Sequence, residues 1–192
     1  VLTAFDQTLS QLSIEILTMQ SVFVLPNLLK VYKALIWVTL YAAALHFFDN
    51  VYFFFQYPER AWLTREIVAL LWIPIALMAH RAVDLIYIGK INHSFTVIHS
   101  FVLANWISLG HYLFACPQEV STRINIAIFI QTSMACILFI MTLWLQFTRY
   151  PKSLAFAKKA WFKNIVMYVV LIIILESIFP SDFHDWWYTW LI

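Results

Sequence analysis

Charged side chains are scarce in this chain. Asp, Glu, Lys and Arg make up only 11% of its 192 residues, whereas a soluble domain carries about 25%. That shortfall excludes a soluble globular class. The 63% hydrophobic content and the mean hydropathy of +0.80 point the same way, to a membrane. Period-2 alternation is also lacking, and long unbroken apolar runs stand in its place, which excludes a β-barrel and predicts spanning helices. Two glycines and one clear Pro-interrupted span are a poor supply for a transporter built on broken helices. Two cysteines, Cys116 in an expected loop and Cys136 inside an expected span, exclude a bridge between them and leave the redox compartment unread. With a net charge of +2 and no basic stripe interleaved with aromatics, no nucleic-acid partner is expected. No basic-then-apolar signal-peptide pattern stands near the start.

What is present is a series of apolar helices. Leu2, Phe5, Leu9, Leu12, Ile16, Met19 and Phe23 recur at three and four, which predicts an amphipathic, interfacial helix over residues 1–29, broken by Pro26. A five-helix transmembrane domain is expected over 30–180, an all-α bundle, with spans near 31–56, 64–88, 95–114, 124–147 and 164–179. Each is near the ~20 residues a bilayer requires. Residues 181–192, with Trp186, Trp187, Tyr188 and Trp190, read as an aromatic interfacial tail. Lysine and arginine concentrate before the first span and after the second and fourth, so the positive-inside rule predicts a cytoplasmic N-terminus and a C-terminus outside. A shift of 59 lays His46 on Asn105, Asp49 on Ser108 and Pro58 on Pro117, suggesting a parallel repeat of two helical hairpins.

The chemistry-bearing stretch is Leu45-His46-Phe47-Phe48-Asp49-Asn50, set inside the first span. His46, Asp49 and Asn50 lie at i, i+3 and i+4 and share a face. A charged Asp at membrane depth costs roughly 2.5–3.5 kcal/mol on insertion scales, so Asp49 is expected to find a partner. Arg65 and Glu66 open the second helix, Arg123 opens the fourth, and Glu176 nears the end of the fifth. Asn105, Ser108 and His111 occupy the same half of the third. These groups converge on one depth, the outer half of the membrane. Asp49, His46 and Glu176 are the candidate acid/base groups, with Asn50, Arg65, Glu66, Asn105, Ser108, His111 and Arg123 as candidate ligand contacts. The competing reading is a network, Asp49 to Arg65 or Arg123, that only fastens helices together.

No HxxxH or HExxH pair marks a metal site, and the only metal or haem reading pairs His46 with His111, at unspecific spacing. The cofactor therefore stays unassigned. Cys116 beside Pro117 lacks an oxyanion-hole motif, which argues against a nucleophilic enzyme. His80 and His93 read as interfacial, and His99 as a hydrogen-bonded core residue.

Asp49-Asn50-Val51-Tyr52-Phe53, followed by Leu71-Trp72-Ile73-Pro74, resembles the last hairpin of the EXPERA superfamily, the group of emopamil-binding sterol isomerases and the sigma-2 receptor. The resemblance covers roughly residues 35–78. It implies a membrane cavity for sterol-like ligands in which Asp49 and Trp72 contact a cationic amine or carbocation. The expected function is accordingly binding, and in the acid/base variant transformation, of an apolar ligand such as a lipid, sterol or isoprenoid. Besides membrane lipids and that small molecule, partner membrane subunits are the alternative, the chain then being an accessory subunit. A small transporter is the third.

Overall fold

The computed structural model describes residues 2–59, 63–113, 115–153 and 166, with side chains from Pro26 onward. Among them the chain is all-helical. Helix α1 runs Leu2–Tyr52, α2 Arg65–Tyr87, α3 Ile91–Trp106 and α4 Thr122–Thr148. Short 3-10 helices at Phe54–Gln56 and Ile107–Leu113 follow α1 and α3. The chain divides into two compact units, residues 1–35 and 36–192. The first is the leading part of α1, and the second holds the helix packing and the polar cluster described below.

Among the described residues three segments, Pro26–Tyr52, Arg65–Tyr87 and Thr122–Thr148, are long and apolar enough to cross a membrane, which marks an integral membrane protein. Their lateral faces agree. On α1, Ile36, Leu40, Ala43, His46 and Asn50 are buried at spacings of three and four, while Tyr41, Leu45, Phe48 and Tyr52 are exposed. On α4, Ile124, Ile128, Ala135, Leu138 and Leu145 are buried, and Phe129, Ile137, Ile140, Trp144 and Phe147 are exposed. Large apolar side chains face outward on both helices, as acyl chains rather than water require.

Two sequence expectations are corrected here. Pro26 does not break the helix; it lies inside α1. A proline removes one backbone hydrogen bond, and apolar helices absorb that loss more readily than soluble ones. The third expected span is α-helical only as far as Trp106 and then tightens into the 3-10 form. The expected fifth span, with Glu176, and the aromatic tail lie outside the described residues.

Local chemistry explains the boundaries. Thr64 and Ser121 cap α2 and α4, each hydroxyl accepting from a backbone N–H three residues on, at Ile67 and Ile124. Helix α2 ends in a paired-bond cap: Gly89 N–H donates to Ile86 O and Lys90 N–H to Leu85 O. Gly89 holds φ at +75°, where a side chain is strained. The turn sends α3 straight back along α2, where Ser94 Oγ donates to Ala82 O at 2.8 Å.

Helix α3 packs against both α2 and α4. Its Phe95, Ile98 and Phe101 are fully buried, which makes it the central helix of the described bundle. Amide and imidazole rungs tie it to α4. His99 Nε2 lies 2.9 Å from Gln146 Oε1, and Gln131 Nε2 donates to Asn105 Oδ1 at 3.0 Å. Thr39 Oγ1 donates to Met134 O at 3.4 Å, bringing α1 onto α4. Trp37 meets His80 edge-on at 4.7 Å, joining α1 to α2.

Candidate functional site

Polar groups gather where α1 ends, α4 begins and the 3-10 tail of α3 finishes. The packing that brings them there starts with Tyr57. Its ring is buried with Val120, Ile124 and Ile128, beside Tyr112 and Ala115, so the turn after α1 plugs into the start of α4. From that seat the Tyr57 hydroxyl donates to Asp49 Oδ2 at 2.6 Å. Arg123, in the first turn of α4, reaches Asp49 Oδ1 at 2.6 Å through one nitrogen and Gln56 Oε1 at 2.8 Å through the other. Its guanidinium also covers the Phe53 ring at 3.4 Å. Asp49 thus receives a cation and a phenol at once.

A second strand of the cluster runs beside the first. Asn50 Nδ2 donates to Glu59 Oε1 at 2.7 Å, and the same carboxylate oxygen lies 3.5 Å from His111 Nδ1. The His111 ring is 5.4 Å from His46 and 5.2 Å from Tyr57, and His46 stands 5.7 Å from Tyr57. His46 and Asn50 are each only 3% exposed. They occupy core positions on the buried stripe of α1, where an aliphatic residue would be usual. His46 Nδ1 and Asn50 Oδ1 have no hydrogen-bond partner among the described residues.

The sequence-derived candidates are therefore partly brought together. His46, Asp49, Asn50, His111 and Arg123 meet in one cluster. Arg65 and Glu66 are exposed at the start of α2, and Arg65 lies over the Phe55 ring at 5.6 Å. Trp72 packs against Phe47 at 6.0 Å. Asn105 and Ser108 belong to a separate rung: Asn105 Nδ2 donates to Phe101 O, and Ser108 Oγ to Asn105 O. Glu176 lies outside the described residues. The cluster members that the sequence analysis does not name are Tyr57 and Glu59. Their signal was a phenol and a carboxylate within ten residues of an intramembrane Asp and Asn.

His111 and Glu59 form no three-ligand metal set with their neighbours; none occurs among the described His, Cys, Asp and Glu side chains. Both cysteines are free, Cys136 exposed on α4.

Burial pushes the Glu59 carboxyl above its ordinary range, and the Asn50 hydrogen bond pulls it only part of the way back. Burial and the hydrogen bond to Asp49 likewise raise the Tyr57 phenol, keeping it a donor. For Glu59 the sign follows directly. Its folded-state value lies above the unfolded one, so its contribution to stability is complete below the unfolded carboxylate value and fades as pH rises through the folded value. Thermal unfolding in detergent, scanned from about pH 4 to about pH 8, should show wild type losing ground to Glu59→Gln as pH rises. A stability difference that stays flat across the scan contradicts this.

Compared with known proteins, the chain matches no family model, no curated protein and no solved structure.

Proposed function

We propose that this integral membrane protein binds an apolar ligand, a lipid, sterol or isoprenoid, by its polar end at the His46–Asn50 layer. The observation that carries this reading is the pair of orphaned atoms, His46 Nδ1 and Asn50 Oδ1, on side chains that are almost fully buried. A buried polar atom without a partner costs about 1–3 kcal/mol, and two of them side by side on one helix face call for a group that satisfies both. His111, Glu59, Tyr57, Asp49 and Arg123 surround the pair and hold it in place. The reading carries the sequence-based topology with it: five spans, an N-terminus on the cytoplasmic side and two hairpins in parallel repeat.

Extraction in mild detergent followed by native mass spectrometry and solvent extraction tests the reading. A bound apolar molecule is expected with wild type, reduced at least about tenfold by Asn50→Leu and by His46→Phe, at unchanged elution volume and unfolding temperature. Equal retention by the variants overturns the site. Recovery of stoichiometric partner chains with no small molecule favours the accessory-subunit alternative instead.

A further inference from the structure

The donor and acceptor arithmetic around His46 and Asn50 specifies more than a polar end. Several neighbouring groups are already committed. The Asn50 amide nitrogen is held by Glu59, the Tyr57 hydroxyl by Asp49, and Arg123 by Asp49 and Gln56. Several buried polar atoms lack a partner among the described residues; the two that belong to this cluster are one obligate acceptor, Asn50 Oδ1, and one imidazole nitrogen, His46 Nδ1. The two residues are four apart on one helix face, about 5–6 Å between their Cβ atoms. That spacing is comparable to two hydrogen bonds of about 2.8 Å laid end to end, as one bridging oxygen requires.

We propose that His46 and Asn50 together hold the hydroxyl group of an apolar alcohol, its proton given to Asn50 Oδ1 and its oxygen accepting from His46 Nδ1–H. The proposal rests on the ligand-binding reading above and narrows it to one head group. Other head groups fit less well. A ketone, aldehyde or ether has no proton for Asn50, and an acceptor against an acceptor repels. A carboxylate or phosphate meets the same oxygen with a full negative charge. An ammonium can donate to Asn50 but meets carboxylates whose charge is already engaged by other side chains. Asp49 is taken by Arg123 and Tyr57, and Glu59 by Asn50 and His111. A hydroxyl is the neutral group with one donor and one acceptor, which is what the pair presents once Nδ1 carries the imidazole proton.

The experiment uses two matched series, so that the skeleton is not the variable. One is cholesterol, its methyl ether and cholestenone; the other is farnesol, its methyl ether, farnesal, farnesylamine and farnesoic acid. Binding of each to the purified full chain is measured by competition against a tritiated alcohol of the same series. The expected result is that in at least one series the alcohol binds about tenfold or more tighter than its ether and carbonyl analogues, a factor of ten being about 1.4 kcal/mol. Asn50→Leu and His46→Phe should erase that preference, bringing the alcohol down to the level of its ether. Three results overturn the proposal. If an amine, acid or ketone binds best and the variants abolish it, the hydroxyl assignment falls and the site stands. If alcohol and ether bind alike and the variants change neither, a trapped water satisfies the pair, and both the assignment and the site fall. If no member of either series binds, both fall as well.

Discussion

Asp49→Leu is expected to destabilise the protein by about 2 kcal/mol, less than breaking a fully buried ion pair costs, because Arg123 stays partly open. Arg123→Leu should cost a similar amount, and the double variant should recover most of the loss. The reason lies in where the two charges sit. Asp49 is near the carboxyl end of α1 and Arg123 in the first turn of α4, so each faces the unfavourable pole of its own helix. Each is also drawn away from water, with side chains 18% and 36% exposed. Alone, neither is well placed; together they cancel. Removing Asp49 strands Arg123 over the Phe53 ring and takes away the acceptor of the Tyr57 hydroxyl. Reversible unfolding of the four proteins of the double-mutant cycle, in a graded detergent mixture, measures the coupling. Additive losses in the double variant would show that the pair contributes nothing beyond its members.

Phe101→Ala should cost more, about 3 kcal/mol or above. Phe101 is fully buried on α3, the helix that packs on both α2 and α4. In a bilayer the hydrophobic driving force between helices is weak, and association depends on close packing. A cavity at Phe101 forfeits dispersion contacts that no lipid tail can restore from outside. Phe129→Ala is the control, because its ring is 70% exposed on α4, and a change within about 0.5 kcal/mol is expected there. Equal losses at the two positions, in the same unfolding assay, would mean that α3 is not the packing centre.

Much of this arrangement was legible from residue patterns. Apolar run lengths located α2 and α4 to within a few residues, because span length is dictated by bilayer thickness. His99 was readable as a core histidine with a hydrogen-bond partner, and His46, Asp49 and Asn50 as one helix face, because periodicity alone places them. What pattern could not decide was the partner of Asp49. Arg65 and Arg123 both open helices at the correct depth, and only the docking of Tyr57 against Ile124 and Ile128 brings α4 rather than α2 to the carboxylate. Glu59 was hidden for the same reason: a carboxylate in a Pro turn reads as solvated until Asn50 is seen beside it. Gln131 and Gln146 look like interruptions of an apolar run, and become rungs only when Asn105 and His99 stand opposite.

The change of winding after Trp106 acts as a length adjuster. Seven residues in the 3-10 form advance about 14 Å, against about 10.5 Å as an α-helix. The end of the third helical segment is therefore carried roughly 3.5 Å further without any added residue. That is more than the length of a hydrogen bond, and it decides whether the His111 imidazole stops short of Glu59 and His46 or arrives among them. Winding also turns the tail, since residues three apart eclipse in the 3-10 form and Ser108 and His111 come to share one edge. A rewinding of this segment to α-helix would withdraw His111 from the cluster while leaving α3 and its packing face untouched. The height of one imidazole is thus set by backbone pitch, separately from the core that holds the bundle together.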